Sequence, residues 1–353
     1  MNASLAAVRN DLETCTEIQT RHARPLPSPA TLIESLPIAP GLGEQIRRHR
    51  AQVRAILNGD DDRLLVITGP CSLHDPQAAL DYGRRLAALA DQVGDRLLLV
   101  MRAYVEKPRT TVGWKGLLHD PHLDGSDDLA EGLRVSRRVL IDLAELGLPL
   151  ATELLSPLAA NYLEDTLSWA AVGARTTESQ THREMISGLG MPVGFKNGTD
   201  GELATARDAM QAAAHPHTHL GVDANGQAAL IRTAGNPDTH LVLRGGRTGP
   251  NFDDEHMRSA RWVLESAGLN PRLIVDCSHA NSGKDPARQR GVLNDLIAQR
   301  RDGENAIAGV MLESNINAGN QSLQAELQYG VSVTDACMGW ADTRQALQDL
   351  ANG

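Results

Sequence analysis

LLVITGPCS, residues 64–72, carries a short apolar run straight into a cysteine that can ligate a metal. Seven further runs repeat that order: LLLVM from Leu97, LPLAT from Leu148, AAVGA from Ala170, PVGF from Pro192, LVL from Leu241, LIV from Leu273 and AIAGVML from Ala306. Nearly all are followed at once by a residue that ligates metals or grips phosphate. Each run is too short for a buried helix and lacks strict alternation, as expected of strands covered on both faces of a parallel sheet. Amphipathic helical stretches lie between them, for example over 128–146, 199–213, 254–267 and 286–300. Eight alternations in about 250 residues predict an α/β chain folded as a (β/α)8 TIM barrel, with its active face at the strand C-termini. An open doubly wound sheet is the alternative, but its Gly-rich phosphate turn is missing, because Gly69-Pro70-Cys71-Ser72 lacks the spacing.

Around this core the chain has an N-terminal extension, residues 1–60, and an insertion. A proline-bearing stretch over 25–40 reads as an extended arm, and 43–57 as a helix ending at Asn58-Gly59. Residues 61–353 form the expected barrel. After its fifth helix, HLGV from His219, then Asp223-Ala224-Asn225-Gly226, then QAALIRT predict an inserted β-hairpin over about 218–234.

Composition excludes several classes. A net charge of −10 argues against nucleic acid or an anionic membrane as partner. Residues 1–20 carry Arg9, Asp11 and Glu13 with no apolar core, so no signal peptide is expected, and no run is long enough to span a bilayer. Cys15, Cys71, Cys277 and Cys337 lack regular spacing and suit a reducing compartment, which points to the cytoplasm.

Of 34 basic residues only four are lysine: Lys107, Lys115, Lys196 and Lys284. Three of them follow the second and fifth runs, in EKPRTTVGWKG and GFKNGTDG. An ammonium can act as acid or base where a guanidinium cannot, so Lys107 and Lys196 stand out as candidates for chemistry. Arg102, Arg109, Arg175 and Arg244, all near strand ends, complete a cationic rim in an acidic protein, suited to carboxylate and phosphate groups. The remaining strand ends carry Cys71, His279, Glu313 and, further on, Asp335. Only a barrel would gather them, and a thiolate, an imidazole and two carboxylates suit manganese, iron, cobalt or zinc more than magnesium or calcium. Cys277 competes with Cys71, since residues two apart on a strand share a side and Cys277 could flank His279.

GPCSLHDP, EKPRTTVGWKGL, GARTTESQTHRE, GFKNGTDG, LRGG, DCSHANS and TDACMGW closely resemble the short bacterial class I 3-deoxy-D-arabino-heptulosonate 7-phosphate (DAHP) synthases, over essentially the whole chain except residues 1–40. The resemblance implies a transferase opening the shikimate pathway, condensing phosphoenolpyruvate with erythrose 4-phosphate. It implies one divalent metal on Cys71, His279, Glu313 and Asp335, with manganese favoured. Phosphoenolpyruvate would be held by Arg102, Lys107, Glu153, Ala174, Arg175, Lys196 and Arg244, and erythrose 4-phosphate by Lys107, Pro108, Arg109, Thr110 and Asp335. Lys196, Glu153, Asp335 and Cys71 would be the catalytic groups. The family also implies a homo-oligomer, dimer or tetramer, and feedback by an aromatic amino acid near Ala160, Leu189, Gly190 and Gly221. Phenylalanine-sensitive relatives commonly carry serine at the position of Gly221, and the missing side chain would leave room for a phenolic hydroxyl. Tyrosine is therefore the expected effector, ahead of tryptophan and phenylalanine. A barrel retained only as a regulatory subunit would have lost rim residues, and no loss is visible.

Overall fold

Alternation inside each apolar run decides which layer a side chain joins. Leu65 and Ile67 pack into the barrel interior with Leu98, Val100, Ala171 and Ile274, while Leu64 and Val66 join the layer between strands and helices. The computed structural model describes residues 23–323 and 326–352; Cys15 and residues 1–20, read above for a signal peptide, fall outside the described residues. In chain order the strands are β1 (Leu64–Gly69), β2 (Leu97–Arg102), β3 (Leu150–Glu153), β4 (Trp169–Val172), β5 (Val193–Lys196), β6 (Thr218–Val222), β7 (Ala228–Arg232), β8 (Thr239–Leu243), β9 (Leu273–Asp276), β10 (Ile307–Asn315) and β11 (Met338–Gly339). The order β1-β2-β3-β4-β5-β8-β9-β10 is parallel throughout and closes by pairing β1 with β10, from Leu65 opposite Gly309 to Gly69 opposite Glu313. This is the (β/α)8 barrel. Each of the eight apolar runs overlaps one of its strands.

The helices are α1 (Pro29–Ser35), α2 (Pro40–Asn58), α3 (Pro76–Val93), α4 (Leu129–Ala144), α5 (Pro157–Leu163), α6 (Gln180–Ile186), α7 (Ala204–Ala213), α8 (Asp254–Ser266), α9 (Gln289–Arg301) and α10 (Trp340–Asn352). Each barrel strand is followed by one of α3 to α10. Local chemistry starts them: Asp75 accepts from the Gln77 and Ala78 amides with Pro76 in the first turn of α3, and Asp253 does the same for Glu255 and His256 at α8. Val53, Ile56 and Leu57 of α2 join the interior cluster, so this helix plugs the N-terminal end of the barrel and leaves the other end for chemistry.

One local reading needs correction and one gains detail. The 25–40 stretch is not extended throughout, because Pro29 at the first helical position and a Ser28 cap start α1. The hairpin turn is longer than an Asn-Gly pair. The Asp223 amide bonds to the Gln227 carbonyl at 2.9 Å, leaving Ala224-Asn225-Gly226 as a three-residue loop with Gly226 at φ 79°. The Ala30 amide donates to the Ala224 carbonyl at 2.8 Å, so the arm touches this turn.

A buried pair inside the barrel makes stability depend on pH. Trp169 donates through Nε1 to His240 Nε2 at 3.3 Å, and His240 Nδ1 has no hydrogen-bond partner among the described residues. Burial lowers the His240 imidazole from 6.5 to about 3, and burial with Arg48 lowers His49 to about 4. The unfolded chain therefore takes up protons that the folded chain refuses, and stability falls as pH drops below about 6.5, by roughly 1.4 kcal/mol per unit per histidine. Thermal unfolding from neutrality to about pH 4.5 should show this fall. It should be shallower in His240→Gln, and an identical slope would remove His240 from the explanation.

Candidate active site

Strand tips and the loops after them converge on one cavity of about 280 Å³ at the C-terminal end of the barrel. Arg102, Glu153 and Lys196 are the last residues of β2, β3 and β5, one step beyond the purely apolar part of each run. Gly69 makes the first turn, with φ 153°; a Cβ there would sit 2.6 Å from the Arg102 carbonyl. The cavity is lined by Arg102, Lys107, Pro108, Arg109, Thr110, Glu153, Ala174, Arg175, Lys196, Arg244, His279 and Asp335 among the residues expected from sequence. Glu313 lines a small adjoining recess with His279 and Asp335.

The anionic floor is tight. Ligand atoms of Cys71, Glu313 and Asp335 all lie within 4.8 Å of one another. Cys277 is excluded by strand alternation: it packs in the outer layer with Val275, whereas Ile274 faces the interior. Ser72 and Thr334 hydroxyls meet at 2.8 Å and tie the Cys71 turn to the segment that delivers Asp335. The Glu313 backbone is clamped by Gln289, whose amide donates to the Glu313 carbonyl at 3.0 Å and accepts from its N–H at 2.8 Å.

The Lys107 ammonium stands within this cluster, 2.9 Å from Cys71 Sγ and 2.9 Å from Asp335 Oδ2. Burial would lower it, but Cys71, Glu313 and Asp335 outweigh burial and hold it above the usual lysine value. Burial pushes the Cys71 thiol up, helped by Glu313. For Asp335, burial is overcome by Lys107, Lys284 and His279, which hold the carboxyl well below its usual range. A cation already sits among these groups, and one soft sulfur beside two carboxylates is a donor set that a transition-metal ion can use, so the residues fit a metal site.

His279 borders the same space but is not one of the three clustered groups. Its Nδ1 lies 2.8 Å from Asp276 Oδ2 and 2.8 Å from Ser278 Oγ, and its backbone is left-handed, with φ 55°. Left-handed non-glycine residues are uncommon, and Lys284, at φ 65°, is a second one in the same loop. On the opposite side, Arg175 donates to Thr110 Oγ1 at 2.9 Å, joining the loops after β4 and β2. The Arg244 amide donates to Asn197 Oδ1 at 2.8 Å, and burial lowers its guanidinium. Arg102 is fully enclosed, donating to the Pro70 and Cys71 carbonyls and to Glu313 Oε1 at 3.0 Å, with its guanidinium carbon 3.6 Å over the Tyr104 ring.

Some of the cavity's residues are not evident from sequence reasoning alone. Lys115 is exposed and does not line the cavity, whereas Lys284, the one lysine not placed after an apolar run, does line it, 3.9 Å from Asp335 Oδ1. Asp276, the first residue of DCSHANS, carries both His279 and Lys196. Its place right after LIV was a usable signal. Among the expected regulatory residues, Ala160 and Leu189 are buried in the outer core and Gly190 is exposed. Gly221 does not face empty space, since a Cβ there would come 2.7 Å from Ile231 Cγ1.

With the geometry in place, comparison with known proteins decides the family. The model described as the DAHP synthetase I family matches residues 43–348. The chain belongs to the DAHP synthetase I family. The Tyr-sensitive phospho-2-dehydro-3-deoxyheptonate aldolase of Escherichia coli K12 is 54% identical over 328 residues, covering 92% of both chains. The Phe-sensitive enzyme of the same organism is 48% identical over 338 residues, 95% of this chain and 96% of its own. A solved phospho-2-dehydro-3-deoxyheptonate aldolase from Francisella tularensis SCHU S4 superposes with a TM-score of 0.93 at 42% identity, covering 95% of this chain and 98% of that one.

Proposed function

We propose that the cavity condenses phosphoenolpyruvate with erythrose 4-phosphate and water to give DAHP and inorganic phosphate. The observation that carries this reading is the meeting of a cationic rim, Lys107, Arg175, Lys196 and Arg244, with Asp335 in one cavity, Asp335 in turn clustering with Cys71 and Glu313. Two phosphorylated substrates need such a rim, and the proposed product is the phospho-2-dehydro-3-deoxyheptonate after which the relatives are named. Arg102, Lys107, Glu153, Ala174, Arg175, Lys196 and Arg244 would hold phosphoenolpyruvate, and Lys107, Pro108, Arg109, Thr110 and Asp335 the aldose phosphate. Held this way, the enol carbon of phosphoenolpyruvate meets the aldehyde carbon in a reactive geometry. Water then adds at carbon 2, and carbon–oxygen cleavage releases phosphate. Lys196 and Glu153 both line the cavity, and either would move the protons. Cys71, Glu313, Asp335 and His279 would hold the divalent ion, manganese ahead of iron, cobalt or zinc, which when bound supplies Lewis acidity for the aldehyde oxygen. Mass analysis of the product, with each substrate withheld in turn, tests the reading: a seven-carbon sugar-acid phosphate should form only when both are present, and its absence would reject the reaction.

Tyrosine is the proposed effector. Support comes from relatives named Tyr-sensitive and tyrosine-inhibited, at 54% and 49% identity. The arm, α5 and the hairpin are adjacent: Tyr162 donates to the Pro27 carbonyl at 2.8 Å, and Ala30 reaches Ala224. Initial rates with each aromatic amino acid should show the strongest inhibition by tyrosine; stronger inhibition by phenylalanine or tryptophan would reassign the site. A homo-oligomer, dimer or tetramer, is proposed with the hairpin at a subunit contact, because the cross-strand pair Leu220 and Leu230 is 84% and 65% exposed.

A further inference from the structure

Asp276, the last residue of β9, is buried at 1% exposure, and its carboxylate has four close partners on three residues. Oδ2 lies 3.0 Å from Lys196 Nζ and 2.8 Å from His279 Nδ1. Oδ1 accepts from the Ser278 hydroxyl at 2.6 Å and from the Ser278 amide at 3.0 Å. With both oxygens engaged, the carboxylate orients its neighbours and is not free to bind substrate. We infer that Asp276 is a positioning residue shared by the two halves of the site, holding His279 for the metal and Lys196 for phosphoenolpyruvate.

The His279 half follows from tautomer logic. A ring that donates Nδ1–H to a carboxylate keeps its lone pair on Nε2, the form a metal requires, and such outer partners also fix ring orientation. The Lys196 half follows from placement. Lys196 ends β5 and Asp276 ends β9, and β8 lies between them in the sheet, so the contact crosses the mouth between alternate strands. A flexible four-carbon stem is thereby held with its ammonium in the cavity. No other acidic residue contacts both Lys196 and His279 among the described residues.

This inference rests on the proposed metal and phosphoenolpyruvate sites, and binding measurements separate the two. Asp276→Asn preserves size and removes the charge. Manganese affinity, from equilibrium dialysis without substrates, should fall by about 10- to 100-fold, and phosphoenolpyruvate affinity of the metal-free protein by about tenfold or more. The His279 Nδ1–H proton signal should be lost in the same variant. A fall in only one affinity, or in neither, with the fold intact overturns the shared role. Should Asp276→Asn fail to fold, Ser278→Ala deletes one donor to the same carboxylate and should lower both affinities several-fold; unchanged affinities there overturn the inference as well. Wild-type protein that binds neither manganese nor phosphoenolpyruvate would defeat the reading of the cavity itself, a result distinct from wild-type binding that Asp276→Asn leaves untouched.

Discussion

Lys107→Arg should lower turnover nearly as far as Lys107→Met, by about 10²- to 10³-fold. The Lys107 ammonium sits 2.9 Å from both Cys71 Sγ and Asp335 Oδ2, one nitrogen shared between the two. A guanidinium keeps the charge but is planar and wide, and its fork cannot share one atom between sulfur and carboxylate in that space. Methionine keeps the bulk and removes the one ammonium that Cys71 and Asp335 share, leaving Arg102 on Glu313 and the more distant Lys284 on Asp335. Three acidic neighbours hold Lys107 above its usual value, so it carries its charge at neutral pH and acts there as an electrostatic anchor. Steady-state rates at saturating metal and both substrates check this. An arginine variant with wild-type kcat would show that charge alone suffices and that the scarcity of lysine in this chain was a poor guide.

Cys71→Ser should cost at least about 100-fold in metal affinity, because replacing a direct donor should not cost less than disturbing an outer-shell partner. Serine fills nearly the same space at a fully buried position, so the fold should survive. It replaces a soft sulfur with a hard hydroxyl that stays protonated, and the remaining carboxylates then favour harder ions. Metal content after dialysis, with activity on adding back manganese or zinc, reads this out. Retention of wild-type metal content would remove Cys71 from the donor set and bring Cys277 back into question, although its packing among outer-layer residues argues against it.

The barrel was legible because parallel strands are buried on both faces and so appear as unbroken apolar runs. The polar residue closing each run was legible because a strand ends where its side chains reach the cavity mouth, which is how Arg102, Glu153 and Lys196 come to terminate β2, β3 and β5. What the runs concealed was direction. Nothing in DCSHANS separates the inward Asp276 from the outward Cys277, since one position of register exchanges them. Lys284 was hidden for a related reason: it reaches the cavity through two left-handed residues, His279 and Lys284, and non-glycine residues do not announce that conformation. The helix α1 was masked by flanking prolines that suggest extended chain but also start helices. Space at Gly221 depended on Ile231 across the hairpin, a contact that only pairing of β6 with β7 brings about.

One stoichiometry tests the metal-dependent condensation most directly. Phosphate release and phosphoenolpyruvate loss, followed together in the purified protein, should proceed one to one, only with erythrose 4-phosphate present, and should stop on complete chelation and return with manganese. Phosphate released without the aldose, or a full rate after the metal is removed, would contradict it.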